Sequence, residues 1–120
     1  MNGTRIALIS TKPYIAMLIA LFYVLPATAE ENLVTIHSPT DGAKLEAGHT
    51  YKLEYEVKAV AKADHVHLFV DGDEVAIGHK LKGSFTLGPL KAGSRKVCIS
   101  PVNKNHTPMA VQACINVTVQ

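Results

Sequence analysis

Two histidines, His65 and His67, stand two positions apart within the segment 64–72, which has the pattern of a β-strand. Along a β-strand, successive side chains point to opposite faces and each residue advances about 3.3 Å. The two imidazoles therefore share one face, about 6.6 Å apart at the backbone, while Val66 and Leu68 share the other. Imidazole binds zinc, copper and nickel, so this pair is a candidate metal-binding site. The alternative is a pair of polar residues on the solvated face of a sheet.

Residues 1–29 have the features of a secretory signal peptide. Arg5 and Lys12 precede an apolar run over residues 14–25, and small residues of the kind that signal peptidase recognises end at Ala29. The run is shorter than the roughly 20 residues that a membrane-spanning helix needs. We therefore expect cleavage after Ala29 and an exported protein, periplasmic or secreted, with no membrane insertion after cleavage.

The remaining residues, 30–120, are enough for one small domain. Cleavage would remove Arg5 and Lys12 and leave ten basic residues against ten acidic ones. Nucleic-acid binding requires a basic stripe, and anionic membranes attract basic clusters. Because the domain is formally neutral, neither nucleic acid nor a membrane surface is an expected partner.

Apolar and polar residues alternate with period two over most of residues 30–120, and turn residues interrupt the alternation. The sequence therefore predicts an all-β domain, an immunoglobulin-like antiparallel β-sandwich of about seven strands. The expected strands are 33–37, 50–58, 65–71, 74–81, 84–88, 94–102 and 110–119. The inner faces of the second and fifth strands are expected to carry Tyr51, Leu53, Tyr55, Val57, Phe85 and Leu87.

The only two cysteines of the sequence are Cys98 and Cys114. Both have the polar parity of their expected strands, and both are equally far from His106 along the chain. A hairpin centred on His106 would therefore place them opposite each other. In an exported domain such a pair predicts a disulfide bond, here across adjacent strands on the outer face of the sheet. A redox or copper-binding cysteine pair is the alternative, but it lacks the Cys-x-x-Cys spacing.

The immunoglobulin-like strand order brings further candidate ligands to the first pair of histidines. The third strand lies antiparallel beside the sixth, so His65 faces the end of the sixth strand, where the loop 103–109 begins. We therefore expect His106 and Met109, the single methionine after residue 30, to lie near His65. Two histidines are expected at the opposite end of the sandwich, His37 and His49.

Another candidate ligand, His79, reaches the same end if the fourth strand pairs with the third. It has the parity of Val75 and Ile77, which we expect to face inward, whereas the first pair of histidines faces outward. A bulge at Gly78 would turn His79 to the outer face, since glycine inside a strand often marks a bulge. Without a bulge, His79 is a residue of the rim, and both alternatives stay open.

Five short segments follow one another in a fixed order: Ser38-Pro39-Thr40-Asp41-Gly42-Ala43, the segment 65–72, His79 ahead of Lys82-Gly83, Leu90-Lys91-Ala92-Gly93, and Asn103-Lys104-Asn105-His106. This order resembles a family of small exported bacterial domains of unknown function that have an immunoglobulin-like sandwich. The resemblance implies an accessory or metal-handling protein of the bacterial envelope. It implies metal ligands at His65, His67, His79 and His106.

The leading hypothesis is a periplasmic metal-binding protein that holds a copper ion through His65, His67 and His106, with His79 or Met109 as further ligands. Imidazole suits copper, and a thioether favours Cu(I). The competing hypothesis is a non-catalytic interaction module without metal, whose partner is another envelope protein. An enzyme is not expected, because the sequence offers no nucleophile with an adjacent base and no phosphate-binding glycine loop.

Overall fold

The computed structural model describes residues 33–120, together with residues 3, 20 and 23. The predicted signal peptide and its cleavage site therefore lie almost entirely outside the described residues. Among the residues that are described, no helix is long and apolar enough to span a membrane. The strands are β1 (Val34–Ser38), β2 (Lys44–Leu45), β3 (Tyr51–Val57), β4 (His65–Val70), β5 (Asp73–Gly78), β6 (Lys82–Leu87), β7 (Gly93–Val102) and β8 (Ala113–Val119).

The strands form two sheets, which confirms the predicted all-β, immunoglobulin-like sandwich. One sheet has the order β1-β3-β6, and the other has the order β2-β8-β7-β4-β5. Strand β4 lies between β7 and β5 and runs antiparallel to both, as predicted. The strand that was not predicted is β2, which pairs in parallel with the end of β8. Its two residues are too few to show a period, so no alternation signals it.

The core lies between the two sheets and is filled by alternate residues of their strands. On β3, Leu53, Tyr55 and Val57 are buried, as predicted, while the residues between them are more exposed. The ring of Tyr55 stacks on that of Phe85, with 5.1 Å between centroids. The Tyr55 hydroxyl donates to the carbonyl oxygen of Lys80 at 2.6 Å, and burial raises the pKa of this phenol. The hydroxyl group of Tyr55 therefore has a hydrogen-bond partner inside the sandwich.

Strand β5 departs from regular pairing with β4. Leu68 pairs with Ala76 and Phe69 pairs with Glu74, so Val75 is an extra residue on β5. One extra residue on one strand of an antiparallel pair is a β-bulge, and it reverses the parity of the residues that follow.

The bulge changes the face on which the later residues of β5 lie. Ile77 pairs with His67 and therefore shares its outer face, where Ile77 is 43% exposed. Val75 itself is 54% exposed. The prediction that both apolar residues face inward was wrong, because alternation counted from the preceding turn ignores the extra residue.

Gly78 lies on the inner face, packed against the aromatic pair of the opposite sheet. A Cβ atom at this position would lie 2.7 Å from the Cζ atom of Phe85 and 2.7 Å from the hydroxyl oxygen of Tyr55. A bulge at Gly78, one of the two alternatives from the sequence, is not present, and this glycine instead permits close approach of the two sheets. The bulge that reverses the facing of the later residues is three residues earlier, at Val75.

The predicted disulfide bond is confirmed. Cys98 of β7 and Cys114 of β8 stand directly opposite each other in the ladder, with 4.1 Å between their Cα atoms, and are covalently joined. Cys98 also pairs with Phe69 of β4, which places the bond on the outer face that carries His67. The bond closes the chain segment that contains His106. In the chain-entropy model a loop of this length stabilises the fold by about 3 kcal/mol.

Candidate metal centre

Three imidazoles meet on the outer face of the five-stranded sheet. The Nε2 atom of His65 lies 3.2 Å from Nε2 of His67 and 3.1 Å from Nδ1 of His106, and the last two nitrogens are 3.3 Å apart. Strand alternation brings His65 and His67 together, and the loop between β7 and β8 supplies His106. The structure thus brings together the three ligands of the leading hypothesis.

The two strand histidines are buried, although they lie on the outer face. His65 is 4% exposed and His67 is 6% exposed. The ring of His106 lies against both, with its centroid 4.6 Å from that of His65 and 5.4 Å from that of His67. The prediction of solvent-facing surface histidines was therefore wrong for this pair, while His106 is exposed as expected.

A carboxylate stands behind each buried imidazole. Asp64 Oδ2 lies 3.0 Å from Nδ1 of His65, and Glu74 Oε2 lies 3.3 Å from Nδ1 of His67. An ionised carboxylate only accepts hydrogen bonds, so these contacts favour a proton on each Nδ1. The Nε2 lone pairs then point toward the other histidines. Metal-binding histidines commonly have such carboxylate partners on the nitrogen away from the ion.

The environment of His67 keeps its imidazole neutral. Burial lowers the pKa of His67 below its ordinary value, the charge of Glu74 opposes that effect, and positive charge on His65 or His106 would add to it. A neutral imidazole is the form that binds a metal ion.

The loop conformation that presents His106 is held by Asn103. The side-chain oxygen of Asn103 accepts hydrogen bonds from the backbone N–H groups of Asn105 at 2.9 Å and Thr107 at 3.0 Å. The Asn103 carbonyl also accepts from the His106 N–H at 3.0 Å. His106 has a φ of 61°, in the left-handed region that non-glycine residues rarely adopt. Asn103 therefore stabilises the unusual backbone from which the third ligand projects.

His79 lies beside the three histidines, with its ring centroid 6.1 Å from that of His65. It is exposed and follows β5 directly. Its place near His65 results from the bulge at Val75 and not from one at Gly78. Met109 is half-buried, and its backbone N–H is hydrogen-bonded to the Pro101 carbonyl oxygen. Its role as a ligand stays a prediction.

The other two histidines have separate carboxylate partners. His37 Nε2 lies 3.2 Å from Glu56 Oε2, and His49 Nε2 lies 3.4 Å from Glu46 Oε2. The hydrogen bond from His37 is the main cause that holds the pKa of Glu56 below its ordinary value. His37 and His49 do not belong to the group of three that converges within residues 33–120.

A cleft of about 500 Å³ opens between β5 and β6, and histidines do not line it. Its apolar wall includes Leu68 and Leu87, and at its mouth Arg95 pairs with Asp71 at 3.1 Å. A hydrogen bond from the Lys96 N–H, with Arg95 as a further cause, holds the pKa of Asp71 below its ordinary value. Among the described residues, the group of side chains that could hold a metal ion is the three histidines, which lie outside this cleft.

Three polar residues of the site were not among the predicted ones: Asp64, Glu74 and Asn103. Asp64 precedes His65 directly, and Asn103 begins the Asn-Lys-Asn-His segment, so both had a signal in the sequence. Glu74 had none, since its contact with His67 depends on the pairing of β5 with β4.

The triangle of nitrogens has the size that a metal ion requires. Three nitrogens bound at about 2.0–2.1 Å, at three corners of a tetrahedron, lie about 3.3–3.4 Å from one another. The observed separations of 3.1, 3.2 and 3.3 Å are close to these values. An ion can therefore be bound by the three nitrogens with small side-chain movements.

The sequence matches no protein-family model and no curated protein. Solved structures with similar folds include the fibronectin(III)-like modules of Clostridium thermocellum CbhA, with a TM-score of 0.60 at 11% identity over 72% of this chain and 95% of that one. A Jonesia denitrificans lytic polysaccharide monooxygenase has a TM-score of 0.51 at 14% identity, over 75% of this chain and 79% of that one. These similarities establish a small domain with the immunoglobulin-type sandwich.

Proposed function

We propose that this protein is an exported, non-catalytic accessory protein that binds a copper ion through His65, His67 and His106. The observation that carries the proposal is the triangle of three imidazole nitrogens, with sides of 3.1, 3.2 and 3.3 Å. The predicted signal peptide supports export, and the resemblance to small exported bacterial domains supports an envelope location.

The proton count of the cluster supports a cation at its centre. With Asp64 and Glu74 behind two of the rings, the Nε2 atoms of His65 and His67 both carry lone pairs, yet they lie 3.2 Å apart. A single N–H at His106 Nδ1 can donate a well-aligned hydrogen bond to only one of these two Nε2 atoms at a time. A metal ion satisfies all three nitrogens together.

Copper is the proposed ion because the donor set is all imidazole. Imidazole binds zinc, copper, iron and nickel, and among divalent first-row ions Cu(II) forms the most stable complexes with nitrogen ligands. A thioether would favour Cu(I), so a contribution from Met109 would extend binding to that state. Asp64 and Glu74 both face imidazole nitrogens, so they act on the ligands and support binding rather than catalysis.

The test is titration of the purified protein with Cu(II), Cu(I) and Zn(II), with binding measured by calorimetry or by competition with a chelator. We expect one ion per chain and, for Cu(II), a paramagnetic resonance spectrum with nitrogen ligands. Mass spectrometry of the exported protein should give an N-terminus near Glu30. Failure of every ion to bind would contradict the proposal.

An interaction module without metal is the second candidate function. Val75 and Ile77 are 54% and 43% exposed on β5, which is an edge strand of its sheet. Exposed apolar residues on an edge strand suit contact with another envelope protein. This function becomes the better account if titration finds no metal binding.

A further inference from the structure

We propose that Asp64 and Glu74 make the centre selective for divalent over monovalent metal ions. This inference rests on the proposed function and names the charge class of the bound ion. Asp64 Oδ2 lies 3.0 Å from Nδ1 of His65, and Glu74 Oε2 lies 3.3 Å from Nδ1 of His67. Each carboxylate is therefore separated from the proposed ion by one imidazole ring.

Two carboxylates match the charge of a divalent ion. Three neutral imidazoles leave the full charge of the ion uncompensated, and two of the three rings are buried at 4% and 6% exposure. Uncompensated charge is costly where water is excluded. With Asp64 and Glu74 ionised, a divalent centre is neutral overall, whereas a monovalent centre has one excess negative charge.

The two carboxylates are held at the site by the fold. Asp64 precedes β4, and its backbone N–H donates to the Val102 carbonyl oxygen at 2.9 Å. Glu74 pairs with Phe69 across the ladder, which places it on the outer face with His67. Their side chains are 41% and 43% exposed, and each contacts the Nδ1 atom of a buried imidazole ring.

The double variant Asp64→Asn/Glu74→Gln removes both negative charges while keeping an amide oxygen that can face each Nδ1 atom. Zn(II) and Ag(I) are suitable probes, because neither changes oxidation state during titration. Loss of such carboxylate partners weakens metal binding by about 10–100-fold, which is the expected loss for Zn(II). Because Coulomb energy is proportional to ion charge, the expected loss for Ag(I) is the square root of that factor, about 3–10-fold.

The matched control is Glu56→Gln, which removes the carboxylate from the equivalent pair with His37 on the other sheet. We expect this variant to bind both ions as the wild type does. Each variant is also compared without metal by thermal unfolding. Asp64→Asn alone, a change at one exposed side chain, provides a second variant if the double variant unfolds.

Equal losses for Zn(II) and Ag(I) would overturn the inference, because the carboxylates would then only orient the rings. An unchanged affinity for Zn(II) in the double variant would overturn it as well. These outcomes require that the wild type binds Zn(II), so they are distinct from the failure of the proposed function, in which the wild type binds no ion.

Discussion

Metal binding should raise the thermal stability of this domain strongly, and His65→Ala/His67→Ala should abolish the effect. A ligand that binds the folded state alone stabilises it by about 2.7 kcal/mol at a free concentration of 100 times its dissociation constant. For a domain of this size, each kcal/mol raises the melting temperature by about 4–8 °C. The wild-type melting temperature should therefore rise by about 11–22 °C. The double variant loses two of the three nitrogens of the triangle, so we expect almost no rise.

The same double variant should also be less stable without metal. His65 and His67 are 4% and 6% exposed, so alanine at these positions leaves cavities beside the ring of His106. Each variant therefore needs its own metal-free melting temperature as a baseline. His67→Gln fills much of the volume and provides a variant in which the lost ligand is separated from the lost packing.

The assay is thermal unfolding followed by circular dichroism at neutral pH, with and without Zn(II) or Cu(II). The matched control is His37→Ala/His49→Ala, which removes two histidines whose side chains are 48% and 64% exposed. The control should keep the full metal-induced rise. A rise that persists in His65→Ala/His67→Ala, or that disappears in the control, would refute the assignment of the site.

Three further predictions follow from single contacts. Asn103→Ala should weaken Zn(II) binding as much as His106→Ala does, because the loop loses the side-chain oxygen that accepts hydrogen bonds from two backbone N–H groups. Asn103→Asp keeps such an oxygen, so this variant should bind Zn(II) as the wild type does in the same titration. The free energy of unfolding of the metal-free protein should fall as the pH falls below about 6.5, since the unfolded chain then gains a proton that buried His67 resists. When the free energy of unfolding from urea titrations is plotted against pH, His67→Gln should give a shallower slope than the wild type. An unchanged slope would contradict the assignment of the pH dependence to His67. Gly78→Ala should destabilise the fold by about 1–3 kcal/mol in urea unfolding, because its Cβ would lie 2.7 Å from the ring of Phe85; wild-type stability would show that the ring moves freely.

Local pattern was sufficient to predict the features that depend on alternation and on simple hairpins. The pairing of β4 with β7 follows from the strand order, and it places His65 beside the end of β7, from which the loop to His106 begins. The bond between Cys98 and Cys114 follows from shared parity. In each case one regular ladder relates residues that are distant in sequence, so counting along the strands gives their contacts.

Burial of the two strand histidines could not be predicted in the same way. Alternation assigns His65 and His67 to the outer face, and the structure agrees. Exposure of an outer face depends on what packs against it. Here the ring of His106 lies against both imidazoles, and it comes from an irregular loop that is held by the side chain of Asn103. Hydrogen bonds of that kind have no sequence period.

Strand β5 shows why the surroundings of the site escaped prediction. Glu74 and His79 are separated by an odd number of positions, so a regular strand would place them on opposite faces. The bulge at Val75 changes the parity between them, and both come to lie beside the histidines of β4. The irregular residue therefore brings a carboxylate and a fourth imidazole to one face. Since a bulge re-aims side chains at the expense of regular pairing, its position beside the three histidines is itself an argument that this face carries the function.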